Sequence, residues 1–120
     1  FFPYFLLFRR DTKLNGKSTQ QVTATINGLS CTYNFIKIGQ AVYCTISAIG
    51  TLATNSGEVS NVIPTAYQPI YSVYITAKNV SGGNDYGTTR YMIGNNGMAG
   101  INSSSTEHLE RHASGFWFTN

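Results

Sequence analysis

From Lys17 onward, apolar and polar residues alternate with a period of two. In "QVTATI", Val22, Ala24 and Ile26 share one side, and Asn27-Gly28 then offers a two-residue turn. "CTYNFIKI" follows, with Cys31, Tyr33 and Phe35 on one face. "AVYCTISAIGTL" sets Val42, Cys44, Ile46 and Ala48 against Tyr43, Thr45, Ser47 and Ile49, and "NSG" at Asn55 to Gly57 breaks it. "IYSVYITAKNV" sets Tyr71, Val73, Ile75 and Ala77 against Ile70, Ser72, Tyr74 and Thr76. "SGGND", Ser81 to Asp85, reads as a loop. "TTRYMIG" and "MAGIN" flank Asn95-Asn96-Gly97 as a hairpin. "SSSTEHLERHASG" is polar and aperiodic, and "FWFTN" reads as a short terminal strand. Seven or eight short strands with regular turns and no long helical pattern predict an all-β antiparallel sandwich or barrel.

Pro64 and Pro69 interrupt this pattern. Proline fixes φ, lacks an N–H and pushes the preceding residue towards extended geometry. "NVIPTAYQPIY" is therefore an extended crossing segment, neither helix nor central strand.

A chain of 120 residues is one domain with room for a real core. Charged residues make up 11%, against about 25% in ordinary soluble domains. The net charge of +3 is spread over scattered basic residues, so the dense basic stripe of a nucleic-acid binder is missing. If Gly39-Gln40 is a turn, Ile38 pairs with Ala41 and Cys44 falls opposite Phe35. Cys31 then lies four residues along the same face, roughly 13 Å away and too far for a bridge. Both cysteines read as buried free thiols, which suits assembly in a reducing cytoplasm. The opening "FFPYFLLFRR" is apolar but too short to span a bilayer, and it lacks the features of a signal peptide. It reads as an oligomer contact or the end of an upstream strand, so residues 1–17 divide from a domain over 18–120.

The order of elements resembles a known group. "YNFIKIGQAVYCTISAIGTL" leads to "IPTAYQPIYSVYITA", then to a Gly-rich loop, "YMIGNNGMAGI", a polar stretch and an aromatic strand. Lys37-Ile38-Gly39, the set Ile63, Pro64, Tyr67 and Pro69, and the hairpin of Asn96, Gly97, Met98 and Ile101 carry the likeness over roughly residues 30 to 120. Together they resemble the C-terminal head domain of phage receptor-binding and tail-fibre proteins, lactococcal siphophage type. The resemblance implies a homotrimer at the tail tip or baseplate of a virion, assembled in the host cytoplasm and joined to upstream neck or baseplate proteins. Its ligand would be host cell-wall polysaccharide or a teichoic-acid-like glycan. It implies no cofactor, no membrane insertion and no chemistry.

Sugar binding needs an aromatic face and planar groups that hydrogen-bond hydroxyls in pairs. "TEHLERHASGFW" concentrates these. His108, Glu110 and His112 share a face if the segment is extended, and Trp117, the only Trp, follows. The family pocket resembles this, a His-x-acidic pair near a Trp, with Glu110 where Asp is usual. Arg90 or Arg111 would supply the arginine, and Asp85 is a further candidate. Each has a plainer reading: Trp117 in the core, the His/Glu stretch a solvated loop, Asp85 a turn residue. "HLERH" fits no zinc motif, and Gly94, Gly97 and Gly100 make no dinucleotide fingerprint. A fibre-tip depolymerase using Glu107, Glu110 or Asp85 is the rival, and a structural trimerisation cap without ligand is a second.

Overall fold

A computed structural model describes residues 16–120. Eight strands run in order: β1 Lys17–Ile26, β2 Leu29–Ile38, β3 Ala41–Gly50, β4 Ser56–Val59, β5 Val73–Ser81, β6 Asn84–Ile93, β7 Ala99–Ser103 and β8 Leu109–Phe118. They form two four-stranded antiparallel sheets, β1-β2-β3-β8 and β4-β7-β6-β5. The fold is all-β, and the sheets are not closed into a barrel.

Local chemistry sets the register. Asn27 (φ 56°) and Gly28 (φ 91°) both have positive φ, the requirement of a type I′ turn, so Ile26 pairs with Leu29. The Asn27 amide donates to the carbonyls of Thr54 (3.0 Å) and Ser56 (2.9 Å), tying this hairpin to the start of β4. At Gly39-Gln40 Ile38 pairs with Ala41 and Phe35 with Cys44, as the turn predicts. Cys31 pairs with Ala48 instead, and both thiols are free and buried.

The inner faces meet in one core of Tyr33, Phe35, Val42, Cys44 and Ile46 from the first sheet and Tyr91, Ile93 and Ile101 from the second. The proline segment joins β4 to β5, the two edge strands of the second sheet. Val62 and Ile63 N–H groups both donate to Gly97 O, at 2.8 and 3.0 Å. Pro64 then precedes a single 3₁₀ turn, Thr65–Tyr67, and Pro69 bridges Thr119. Tyr67 is buried, with its ring 5.1 Å from that of Phe35. The crossing is thus extended at both prolines and pinned by its aromatic.

Three expectations need correction. The polar stretch before the terminal aromatics is largely strand: β8 begins at Leu109, so only residues 104–108 connect it to β7. "SGGND" is not an open loop but a tight Gly82-Gly83 turn with Ser81 paired to Asn84. The break at "NSG" leads directly into β4, an unpredicted strand. Of the expected neck over 1–17, residues 1–15 lie outside the described residues, and Lys17 opens β1.

Candidate functional site

Strand β8 separates the residues that its sequence brings together. Leu109, Arg111, Ala113, Gly115 and Trp117 alternate with Glu110, His112, Ser114, Phe116 and Phe118, and the first set faces the core. Trp117 is 4% exposed, its ring 6.3 Å from that of Phe35 and its indole N–H bonded to Tyr67 O at 2.8 Å. Arg111 is 1% exposed. Its guanidinium donates to the carbonyls of Ser105 (2.8 Å), Glu107 (3.2 Å) and Leu109 (3.4 Å), bracing the β7–β8 connection. Burial holds this guanidinium below its ordinary pKa. Neither side chain reaches a ligand on the outer surface.

Glu110 and His112 do share the outer face, with Glu110 Oε1 2.9 Å from His112 Nε2. His108 lies just before the strand, its Nδ1 3.4 Å from the Thr51 hydroxyl. All three are exposed. His112 lines a shallow depression with Thr45, Ser47 and Ser114, but no exposed aromatic belongs to it. Asp85 sits at the tip of the β5–β6 hairpin, bonded to Lys78 Nζ (2.7 Å) and the Gly87 N–H (2.8 Å). These hydrogen bonds hold its carboxyl below the usual carboxylate range. The candidates therefore occupy three regions: His108 and Glu110 on the first sheet, Asp85 at a distant tip, and Trp117 and Arg111 inside.

Arg90 is the exception. It stands on the outer face of the second sheet, in a cross-strand row of Ser56, Asn102, Arg90 and Thr76. The next row is Glu58, Gly100, Met92 and Tyr74. Gly100 has no side chain, and its missing volume opens the centre of this face. A Cβ there would come within 3.3 Å of Met92 Cε and 3.4 Å of Glu58 Cγ. The result is a depression of about 270 Å³ walled by Ser56, Glu58, Tyr74, Arg90, Met92 and Asn102.

Its groups suit a polyhydroxylated ligand. Tyr74 is 58% exposed and offers a ring face. The Arg90 guanidinium lies 5.2 Å from the centroid of that ring, a cation–π contact that limits its rotamers. Glu58 accepts hydrogen bonds in pairs, and Asn102 both donates and accepts. Among the described residues the close contacts between acidic and basic side chains are Lys78–Asp85 and His112–Glu110, so neither Glu58 nor Arg90 is consumed by one. Among those residues no three His, Cys, Asp or Glu side chains gather as a metal site.

Sequence reasoning reached Arg90 but missed Tyr74 and Glu58. For Tyr74 a signal existed: it is an aromatic on the polar side of an alternating strand, where packing does not call for one. Glu58 had none, because its strand is four residues long. No family model, curated protein or solved structure matches the chain.

Proposed function

We propose that the chain is a saccharide-recognition head of the phage receptor-binding kind, adsorbing to host cell-surface glycan through the depression around Gly100. The observation that carries this reading is Arg90 stacked on the exposed ring of Tyr74, with Glu58 across the gap. A pyranose would lay its C–H face on Tyr74 and direct hydroxyls to Glu58, Asn102 and Ser56. Binding at one such open site is weak. Three heads per trimer, the assembly that the resemblance implies, multiply it. Buried, reduced Cys31 and Cys44 accord with assembly in a host cytoplasm before the virion is released.

Glycoside cleavage uses two carboxyl groups flanking the scissile bond. Glu58 is the one carboxylate among the residues lining the depression, which favours binding over hydrolysis. The test is isothermal titration of the purified protein with fragments of Gram-positive cell-wall polysaccharide. Binding weakened in both Tyr74→Ala and Arg90→Ala, but unchanged in His108→Ala, is the expected result. Binding lost in His108→Ala alone moves the site to the first sheet. Release of reducing ends would make the protein a depolymerase, and no binding by any variant would leave a structural cap.

A further inference from the structure

Tyr33, Tyr91 and Arg111 are 0%, 1% and 1% exposed, yet each carries a polar atom without a hydrogen-bond partner among the described residues. The atoms are the two tyrosine hydroxyls and Arg111 Nε. The Arg111 Nη groups are fully used. They donate to the carbonyls of Gly50 (3.5 Å), Leu109 (3.4 Å), Ser105 (2.8 Å) and Glu107 (3.2 Å). The Nε–H is the donor of the fork that is left over. An unmet group in a core carries its full desolvation cost, and phenylalanine would fill either tyrosine position without it. Phe35 does so two residues from Tyr33, the two rings stacked at 6.4 Å.

The fold brings the three side chains together. Pairing puts Cys31, Ala48 and Arg111 in one inner row of the first sheet and Tyr33, Ile46 and Ala113 in the next. Cys31, Ala48 and Ala113 are small, which leaves room between the two long side chains. Tyr91 comes from the inner face of the second sheet, where it pairs with Ile75 and Ile101. Stacked sheets lie about 10 Å apart, a gap that a tyrosine largely crosses. Electrostatics agree. Burial pushes the Tyr91 hydroxyl up to about 12, and the Arg111 charge opposes that rise. Burial also raises Tyr33, and its neighbours Cys31, Cys44 and Tyr91 add to the shift.

We propose that Arg111 Nε, Tyr33 Oη and Tyr91 Oη share one buried water molecule between the sheets. The water accepts from the Nε–H and exchanges one hydrogen bond with each tyrosine. Three bonds to otherwise unmet groups are what a buried water ordinarily makes. Both hydroxyls accept as well as donate, which water uses and an anion cannot. The guanidinium charge already faces four carbonyls. The site ties Arg111 and Tyr33 of the first sheet to Tyr91 of the second.

The experiment is a double-mutant cycle of Tyr33→Phe and Tyr91→Phe on the full chain. It is read by chemical denaturation, with magnetic relaxation dispersion of the water oxygen on each folded variant. Both substitutions keep the ring, so the core stays filled. Each single variant should lower the denaturation midpoint. The double variant should lose less than the sum, since the two hydroxyls are coupled through one bridge. Dispersion should show one long-lived water fewer in the double variant than in the wild type. Additive losses, a midpoint raised by either substitution, or an unchanged number of long-lived waters overturns the proposal. So does a wild-type midpoint that rises with chloride at constant ionic strength and no longer rises in the double variant, which would put an anion there instead.

Discussion

The indole N–H of Trp117 donates to the carbonyl of Tyr67 at 2.8 Å, joining the last strand to the proline crossing. The bond is buried, so its loss leaves an orphaned carbonyl as well as a gap. Trp117→Phe is expected to cost about 1–3 kcal/mol and Trp117→Ala about 3–5 kcal/mol, read by chemical denaturation. Trp117 fluorescence should stay blue-shifted and unchanged when glycan binds, because the depression lies on the outer face of the other sheet.

Gly100 makes the depression by having no side chain. Gly100→Ala should narrow it and weaken glycan binding with little loss of stability. The flexible Met92 and Glu58 side chains can yield the few tenths of an ångström that a Cβ requires. Tyr74→Ala removes the stacking face and should weaken binding roughly tenfold, the equivalent of an aromatic contact of about 1.4 kcal/mol. Calorimetry with thermal melts separates the two effects.

Arg111 is a buried cation whose charge is met by backbone carbonyls. Arg111→Ala would leave the carbonyls of Ser105, Glu107 and Leu109 without their donor, at about 1–3 kcal/mol for each one that stays buried. Hydrogen exchange should accelerate across residues 104–109 before the rest of the domain. Arg111→Lys should not restore protection, since one ammonium cannot reproduce the planar fork.

Burial pushes the Cys31 thiol up to about 11 and the Cys44 thiol up to about 12, from an ordinary 9.0. Thiolate formation therefore favours the unfolded chain. The stabilising contribution is complete below about pH 9 and is lost as pH rises through about 11 and 12. Denaturation midpoints should fall with alkalinity in the wild type and fall less in Cys44→Ala. A thiol reagent at pH 8 should label neither residue until the protein unfolds.

How much of this was legible depended on what each strand faces. In β2 and β3 one face is buried and apolar, so Tyr33, Phe35, Val42 and Cys44 announced both the strands and their register. In β8 polarity is nearly inverted: the inner face carries Arg111, Ala113 and Gly115, and the outer face carries Phe116 and Phe118. Apolar and polar residues do not alternate over Leu109 to Gly115, so that part reads as an aperiodic polar stretch and only the aromatic end as a strand, and Trp117 was grouped with His108 and Glu110. The site on the second sheet was hidden for another reason. It is assembled across four strands, and only the order β4-β7-β6-β5 brings Glu58 and Gly100 beside Arg90 and Tyr74.

The two sheets turn their outer faces in opposite directions. The depression around Gly100 opens on one side of the domain, and the exposed Ile38, Tyr43, Phe116 and Phe118 lie on the other. Occupation of one face leaves the other free.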